Sequence, residues 1–313
     1  MTSPKYAGDT DHGRYYTHPE HPGRTFISIT NVLDSIAKPA LVPWAAKVTA
    51  EKALDLMPQM VAAALIKPCK PKRVADECGT CLDCLHKTTK REVKVVRETA
   101  ADLGTLVHAF AEAHLTGQEI QATDEDREAV APFVAQYLRF LDDFEVDITR
   151  DVEAAELTVC HPTYGYAGTL DAIVRLRLDG NLAGVKPKQL PDDQRALWVY
   201  DIKTSSTKPA NTLYDEQPLQ LAAQRNAKEA WLPDGSIVPM PRTKGAAILN
   251  LRVDDYAFIP VPSGPEEFAA FRGFITGQSW MHGDHAKACA PITPSGRARA
   301  AKPKTTIRTR KAA

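Results

Sequence analysis

Seven apolar side chains, Val130, Phe133, Val134, Tyr137, Leu138, Leu141 and Phe144, recur at intervals of three and four between residues 124 and 144. That spacing draws one apolar stripe along a helix. Past this segment the period falls to two. Residues 153–160, 168–178 and 196–203 alternate or run apolar, and polar segments rich in Gly and Pro separate them, so they read as strands. A helix with one stripe to bury, followed by strands with faces to bury, points to an α/β core in which helices flank a mixed sheet.

The rest of the chain extends this pattern. The first 25 residues are polar and rich in Gly, Pro and His, and read as loop; residues 25–29 read as a short strand. Ser28 or Thr30 is placed to cap a following helix through Ile36. Residues 41–66 are Ala-rich with helical spacing and a Pro43 start. Residues 103–115 present Leu103, Leu106, Val107, Phe110 and Leu115 on one helix face. Residues 214–231 predict a helix, 245–253 and 256–261 a strand pair, and 265–281 a last helix. The expected organisation is one domain over 1–290, with a Cys-rich insertion at 67–90, and a disordered basic tail over 291–313.

Composition excludes little. The chain carries 39 basic and 39 acidic residues. Seven of the basic ones lie within residues 295–313, which hold no acid, so the remainder has 32 against 39. Arg297, Arg299, Lys302 and Lys304 of that tail are candidate DNA contacts through phosphate. A nucleic-acid enzyme needs a basic groove and not a basic whole. No apolar run approaches the ~18–20 residues that span a bilayer. The polar start has no signal core, so a cytoplasmic, membrane-free protein is expected.

The chemistry concentrates in four places. In Trp198-Val-Tyr-Asp-Ile-Lys-Thr-Ser205, strand alternation puts Asp201 and Lys203 on the same side, with Val199, while Trp198, Tyr200 and Ile202 face the other. A carboxylate two residues before a lysine suits phosphodiester hydrolysis, in which a divalent cation lowers the pKa of water and a second cation steadies the nucleophile. In Tyr166-Ala-Gly-Thr-Leu-Asp171, antiparallel pairing would bring Asp171 near Asp201, an oxygen-rich pair suited to Mg²⁺ or Mn²⁺. Gly168 would permit a tight turn or the approach of a ligand. Gly104, His108 and Glu112 share one helix stripe. Gln217, Gln220 and Gln224 share another, whose amides can reach a phosphate, a base edge or the carboxylates.

Cys69, Cys78, Cys81 and Cys84 place four of the six cysteines within 16 residues, in a segment with little to form a core. Overlapping Cys-x2-Cys steps suit tetrahedral thiolate ligation, and a structural Zn²⁺ would supply the missing stability. His86 is a substitute ligand, and Cys160 and Cys289 read as an ordinary strand residue and a surface residue.

In this order, Gly104–His108, Gly168–Asp171, Asp201–Lys203 and Gln220–Gln224, the four motifs resemble the RecB-like branch of the PD-(D/E)XK nucleases. That branch includes CRISPR-adaptation exonucleases and phage recombination exonucleases. The resemblance covers roughly residues 25–285. It implies a restriction-endonuclease-like core and a Mg²⁺- or Mn²⁺-dependent deoxyribonuclease, with an exonuclease that trims DNA ends in recombination or repair as the leading form. It implies metal ligation by His108, Asp171, Asp201 and the Ile202 carbonyl, Lys203 acting on water, Gln220 as the motif glutamine, and Glu156 as an additional acid. Gln224 stands where the branch has tyrosine, which puts DNA contact at that position in question. The 30-residue step from Asp171 to Asp201 is long for the branch, and the polar segment 179–195 accounts for it. A 4Fe–4S cluster is the alternative to zinc. Relatives with one take three cysteines from the far C-terminal end, whereas here all four precede His108. DNA is the expected partner, with a single-strand annealing protein as a further candidate. The alternatives are a catalytically inactive DNA-binding or assembly protein of the same fold and a structure-specific endonuclease.

Overall fold

The computed structural model describes residues 5–10, 13–71, 73–178 and 195–281. The segment 179–194, Cys289 and the tail with Arg297, Arg299, Lys302 and Lys304 lie outside the described residues. The described residues of Met1–Lys38 and Thr99–Ser279 form one compact unit, and those of Pro39–Glu98 with Trp280 and Met281 form another.

The first unit holds a mixed, mostly antiparallel sheet of ten strands: β1 Ala7–Thr10, β2 Gly13–Tyr16, β3 Phe26–Ser28, β4 Val152–His161, β5 Tyr166–Leu176, β6 Ala196–Thr204, β7 Glu229–Trp231, β8 Ile237–Pro239, β9 Gly245–Leu251 and β10 Tyr256–Val261. Only β3 with β5 and β6 with β9 run parallel among these pairs. Two sequence expectations change here. The N-terminal segment read as loop contains β1 and β2, whose four-residue strands pair with each other and carry Tyr16 into the interior. The helix read over 214–231 stops at Asn226, and Glu229–Trp231 joins β4 as a strand.

Helices cover both faces. On one, α4 (Leu82–Thr116) and α5 (Asp124–Asp143) bury Val107, Ala111, Phe133, Tyr137 and Phe140 against Val174, Trp198, Tyr200 and Ile202. Thr123 caps α5 in a reciprocal capping box with Asp126, which explains its sharp start. On the other face, Leu221 of α6 (Glu216–Asn226) packs on Val199 and Ile173. Ile29 and Val32 of α1 (Ile29–Leu33) meet Phe271 of α7 (Pro265–Met281) around Tyr166. Ser28 is the cap of α1, accepting from the Asn31 amide. Val199 is therefore as buried as Trp198 and Tyr200, and β6 has core on both sides.

The second unit is thinly packed. Its α2 (Leu41–Asp55) buries no residue, and α3 (Met57–Ala63) buries only Ala63. The helix read over 41–66 breaks at Leu56, with Pro58 in the first turn of α3. α4 begins inside the cysteine segment, much earlier than the 103–115 helix expected from periodicity. The unit's buried side chains are few: Ala63, Cys81, Cys84, Leu85 and Thr89. A two-pronged ion pair of Arg91 with Glu77, at 2.6 and 2.7 Å, ties α4 to the segment before it. No described helix is long and apolar enough to cross a membrane.

Gly168 of β5 lies beneath Ile29, and a Cβ there would stand 2.6 Å from the Ile29 Cδ1. Its role is close packing of α1, in place of the turn or ligand approach that the sequence suggested. Gly168→Ala is expected to destabilise the fold by about 1–3 kcal/mol through overpacking. Adding Ile29→Val is expected to restore part of that loss, because the clashing Cδ1 is removed. Chemical denaturation of the single and double variants checks this, and strict additivity would refute it.

Candidate metal centre and active site

The site grows from a fork in the sheet. One edge of β5 is paired along most of its length by β4. The other edge is shared: β3 pairs at Tyr166 and Ala167, and β6 only from Ala172 to Leu176. Gly168, Thr169, Leu170 and Asp171 therefore lie between two diverging strands. Side chains take over the hydrogen bonding there. The Asp171 Oδ2 accepts the Ile202 amide at 2.5 Å, and Gln224 Nε2 donates to the Thr169 carbonyl at 3.4 Å.

At the same level the pleat changes phase. Leu157 and Leu170 face each other and pack in the α6-side core, while Ala155 and Ala172, the facing pair two residues on, pack in the α4-side core. A two-residue step normally keeps the face. Between them Glu156 has φ of 47°, a left-handed conformation that costs a non-glycine residue of order 1–3 kcal/mol. The result turns Asp171 toward α4 and its His108. Gly104, one turn before His108, lets α4 approach β6: a Cβ at Gly104 would stand 3.2 Å from Thr204 Oγ1.

His108 Nε2 lies 3.0 Å from the Ile202 carbonyl and Nδ1 lies 3.4 Å from Asp171 Oδ1. His108, Glu156 and Asp171 each offer a ligand atom, all within 4.8 Å of one another. Three of the expected donors, His108, Asp171 and the Ile202 carbonyl, thus come together, and Glu156 joins them as a principal member. Asp201 stands apart from this set, on the α6 side. Its Oδ1 accepts from Gln220 Nε2 at 2.5 Å, and its Oδ2 lies 2.5 Å from the Lys203 ammonium. The strand alternation that paired Asp201 with Lys203 and the placing of Gln220 against the carboxylates are both seen. Glu112 sits one turn beyond His108, its carboxyl pushed up by burial.

Electrostatics describe a site with surplus negative charge. Burial pushes Glu156 up to about 8, with the Asp171 carboxylate adding to it. Burial pulls His108 down, but the Asp171 charge and hydrogen bond override it and raise the imidazole to about 9. Asp171 is held below the usual carboxylate range: burial raises it, and the His108 and Lys203 charges with the Ile202 amide more than offset that. Asp201 is raised, because burial outweighs the Lys203 ammonium beside it. Near neutrality the cluster therefore keeps protons on His108 and Glu156 that neither group would normally hold. An imidazole and two carboxylates that converge within 4.8 Å are a donor set that fits a divalent cation, which would displace those protons. The 3.0 Å contact between His108 Nε2 and the Ile202 carbonyl is a hydrogen bond that holds the imidazole beside this strand end.

Other expected residues have different roles. Gln224, expected to touch DNA, is 1% exposed and braces Thr169, so that expectation is corrected: a side chain enclosed between α6 and β5 cannot reach a strand. Gln217 is buried and its Oε1 accepts the Tyr214 amide, which ties the chain before α6 to its first turn. Cys160 is a buried strand residue, as expected.

In the second unit the sulfurs of Cys69, Cys78, Cys81 and Cys84 converge. Three separations are 3.3 Å (Cys69–Cys84), 3.7 Å (Cys81–Cys69) and 3.8 Å (Cys78–Cys84). A tetrahedron of thiolates with bonds of ~2.3 Å has edges of about 3.8 Å, so these thiols can hold a metal ion such as zinc. The Thr80 backbone and the Cys81 amide turn toward the Cys78 sulfur and draw its pKa down to about 6, while hydrogen bonding to the neighbouring sulfurs pushes Cys69 up to about 12, so the four thiols share their protons unevenly. His86 is exposed on the helix, away from this role.

No protein-family model matches the chain, and no curated protein matches it. Among solved structures it is similar to the crystal structure of SSO0001, at 13% identity over 57% of this chain and 86% of that one, with a TM-score of 0.26. A score of that size carries no argument about fold or function.

Protein purified without air is expected to carry one zinc per chain and little iron by elemental analysis. Cys81→Ser is expected to lose that zinc and to loosen the second unit first, because little apolar burial holds it. A brown protein absorbing near 400 nm would overturn the single-ion assignment.

Proposed function

We propose that this chain is a metal-dependent deoxyribonuclease with a restriction-endonuclease-like core, of the PD-(D/E)XK kind. The observation that carries the reading is the meeting of His108, Asp171 and the Ile202 carbonyl beside the Asp201–Lys203 pair. Hydrolysis of a phosphodiester needs those parts within one site: hard donors for a cation and a fixed ammonium next to them. Paired carboxylates alone are common on protein surfaces. Carboxylates with a histidine, a strand-end carbonyl and a buried-carboxylate-bound lysine are much less so.

When bound, Mg²⁺ or Mn²⁺ supplies a water of lowered pKa and neutralises charge developing on the phosphate. His108, Glu156, Asp171 and the Ile202 carbonyl would hold it, while Asp201, which the motif resemblance implies as a ligand, is engaged by Gln220 and Lys203. The chain's own groups do the rest. Asp201 and Asp171 keep Lys203 protonated although burial opposes its charge, so a full positive charge would be available to a reacting water and to the phosphate. Gln220 fixes the Asp201 carboxylate by donating to Oδ1, which leaves Oδ2 to the lysine. The Arg252 guanidinium donates to the Lys203 carbonyl at 3.0 Å and fixes the strand end that presents the ammonium. An exonuclease acting on ends remains the leading form. This class of activity also fits DNA as the principal partner.

Asp201→Ala and Lys203→Ala are each expected to lower cleavage of end-labelled linear DNA in Mn²⁺ by at least about a hundredfold, the scale on which a positioned charged group contributes. Lys203→Ala should keep cation binding, since its charge acts on water and phosphate. DNA binding should survive both changes, because phosphate contacts elsewhere supply most affinity. Wild-type rates from Asp201→Ala in a preparation free of host nucleases would contradict the reading.

A further inference from the structure

The loop between Lys203 and α6, residues 205–215, is held with unusual thoroughness. Asn250 is 1% exposed and its Nδ2 donates to the Ala210 and Thr212 carbonyls at 2.8 and 2.7 Å. Arg252 is buried too, and its guanidinium donates to the carbonyls of Lys208, Pro209, Lys203 and Leu251. Ser205 Oγ accepts the Thr207 and Lys208 amides. Gln217 accepts the Tyr214 amide at 2.9 Å. Two buried side chains at the end of β9, one of them a full charge, are thus spent on the backbone of a surface loop.

That frame holds apolar side chains out in solvent. Leu213 is 42% and Tyr214 is 45% exposed, and Lys208 is exposed with no ion pair among the described residues. One exposed apolar residue is ordinary. Here the backbone is pinned, the position is fixed, and the place is the rim of the candidate site. The loop starts two residues after Lys203 and ends five residues before Gln220, and the Glu216 carboxylate, two residues after Tyr214, acts on the Lys203 ammonium. An exposed aromatic side chain on a pinned backbone, in a loop that also carries Lys208, suits an unstacked base with its phosphate. Stacking needs an exposed planar surface with little conformational freedom to lose, and any base offers a matching face. Bases inside a duplex are already stacked on one another and offer none.

Resting on the nuclease reading of the same site, we propose that the 205–215 loop is a strand platform: Tyr214 stacks on an unpaired base, Lys208 takes an adjacent phosphate, and the preferred substrate is single-stranded or frayed DNA. Leu213 widens the apolar surface on which the base lies.

The test uses the zinc-loaded full chain, labelled single-stranded and blunt duplex oligonucleotides of one sequence, and Mn²⁺. Tyr214→Ala is expected to raise KM for the single strand about tenfold, the scale of one lost base stack, with a shift in duplex KM of less than about threefold. Tyr214→Trp and Tyr214→Phe should keep the wild-type KM, since they keep the ring. Equal KM shifts on both substrates, or a Phe variant as impaired as the Ala variant, overturns the platform. If the wild type cuts neither substrate, the nuclease reading fails by itself, and the platform is then judged by fluorescence anisotropy in Ca²⁺. A tenfold weaker single-strand affinity of Tyr214→Ala upholds it there, and an unchanged affinity overturns it.

Discussion

Backbone hydrogen bonding along one edge of β5 is the constraint on which the site depends. β3 and β6 both pair with that edge and then part, so the four residues from Gly168 to Asp171 meet no strand on that side. Buried peptide groups must still be satisfied. Here Asp171 answers for the Ile202 amide, and Gln224 for the Thr169 carbonyl. The first bond fixes an acid at the end of the β6 pairing, and it brings that acid beside the carbonyl of the same Ile202, which faces His108. The fork thus creates the position, and the change of pleat phase at Glu156 aims the carboxylates toward α4.

The charge placed there is costly in the protein alone. Three carboxylates, Glu156, Asp171 and Asp201, with Glu112 close by, are countered by Lys203 and by whatever protons His108 and Glu156 retain. A core of aromatic and aliphatic packing on both faces holds them in place: Tyr200 and Trp198 on one side of β6, Val199 with Leu221 on the other. The second unit solves a different problem. It buries few side chains, and its fold is organised around four sulfurs instead of an apolar core.

Much of this was legible in the sequence, and the limits have physical causes. The helix of residues 124–144 and the strands after it were plain because each buries one regular stripe or face. Asp201 and Lys203 on one side of β6 followed from alternation alone, and the sulfur cluster followed from spacing. α4 was seen only where it has a core-facing stripe, since its first half packs little and shows no apolar repeat. β1 and β2 were missed because two strands of four residues carry too few side chains to show a period. Glu156 was undervalued because its importance comes from a left-handed backbone and a phase change that no local pattern announces. Asn250 and Arg252 did leave a signal, a polar pair ending the apolar run of β9, but what they hold is a loop some 40 residues earlier in the chain.

The central claim is that the fork at β5 forms a cation site whose charge is carried by protons when no cation is bound. Calorimetric titration of Mn²⁺ into the zinc-loaded protein at pH 7, in buffers of different ionisation enthalpy, tests it directly. With His108 raised to about 9 and Glu156 to about 8, both groups must give up a proton to act as ligands, so binding should release up to about two protons per ion and should tighten as pH rises toward 9. Asp171→Asn should abolish the binding. Mn²⁺ binding without proton release, or binding that survives Asp171→Asn, would contradict the account.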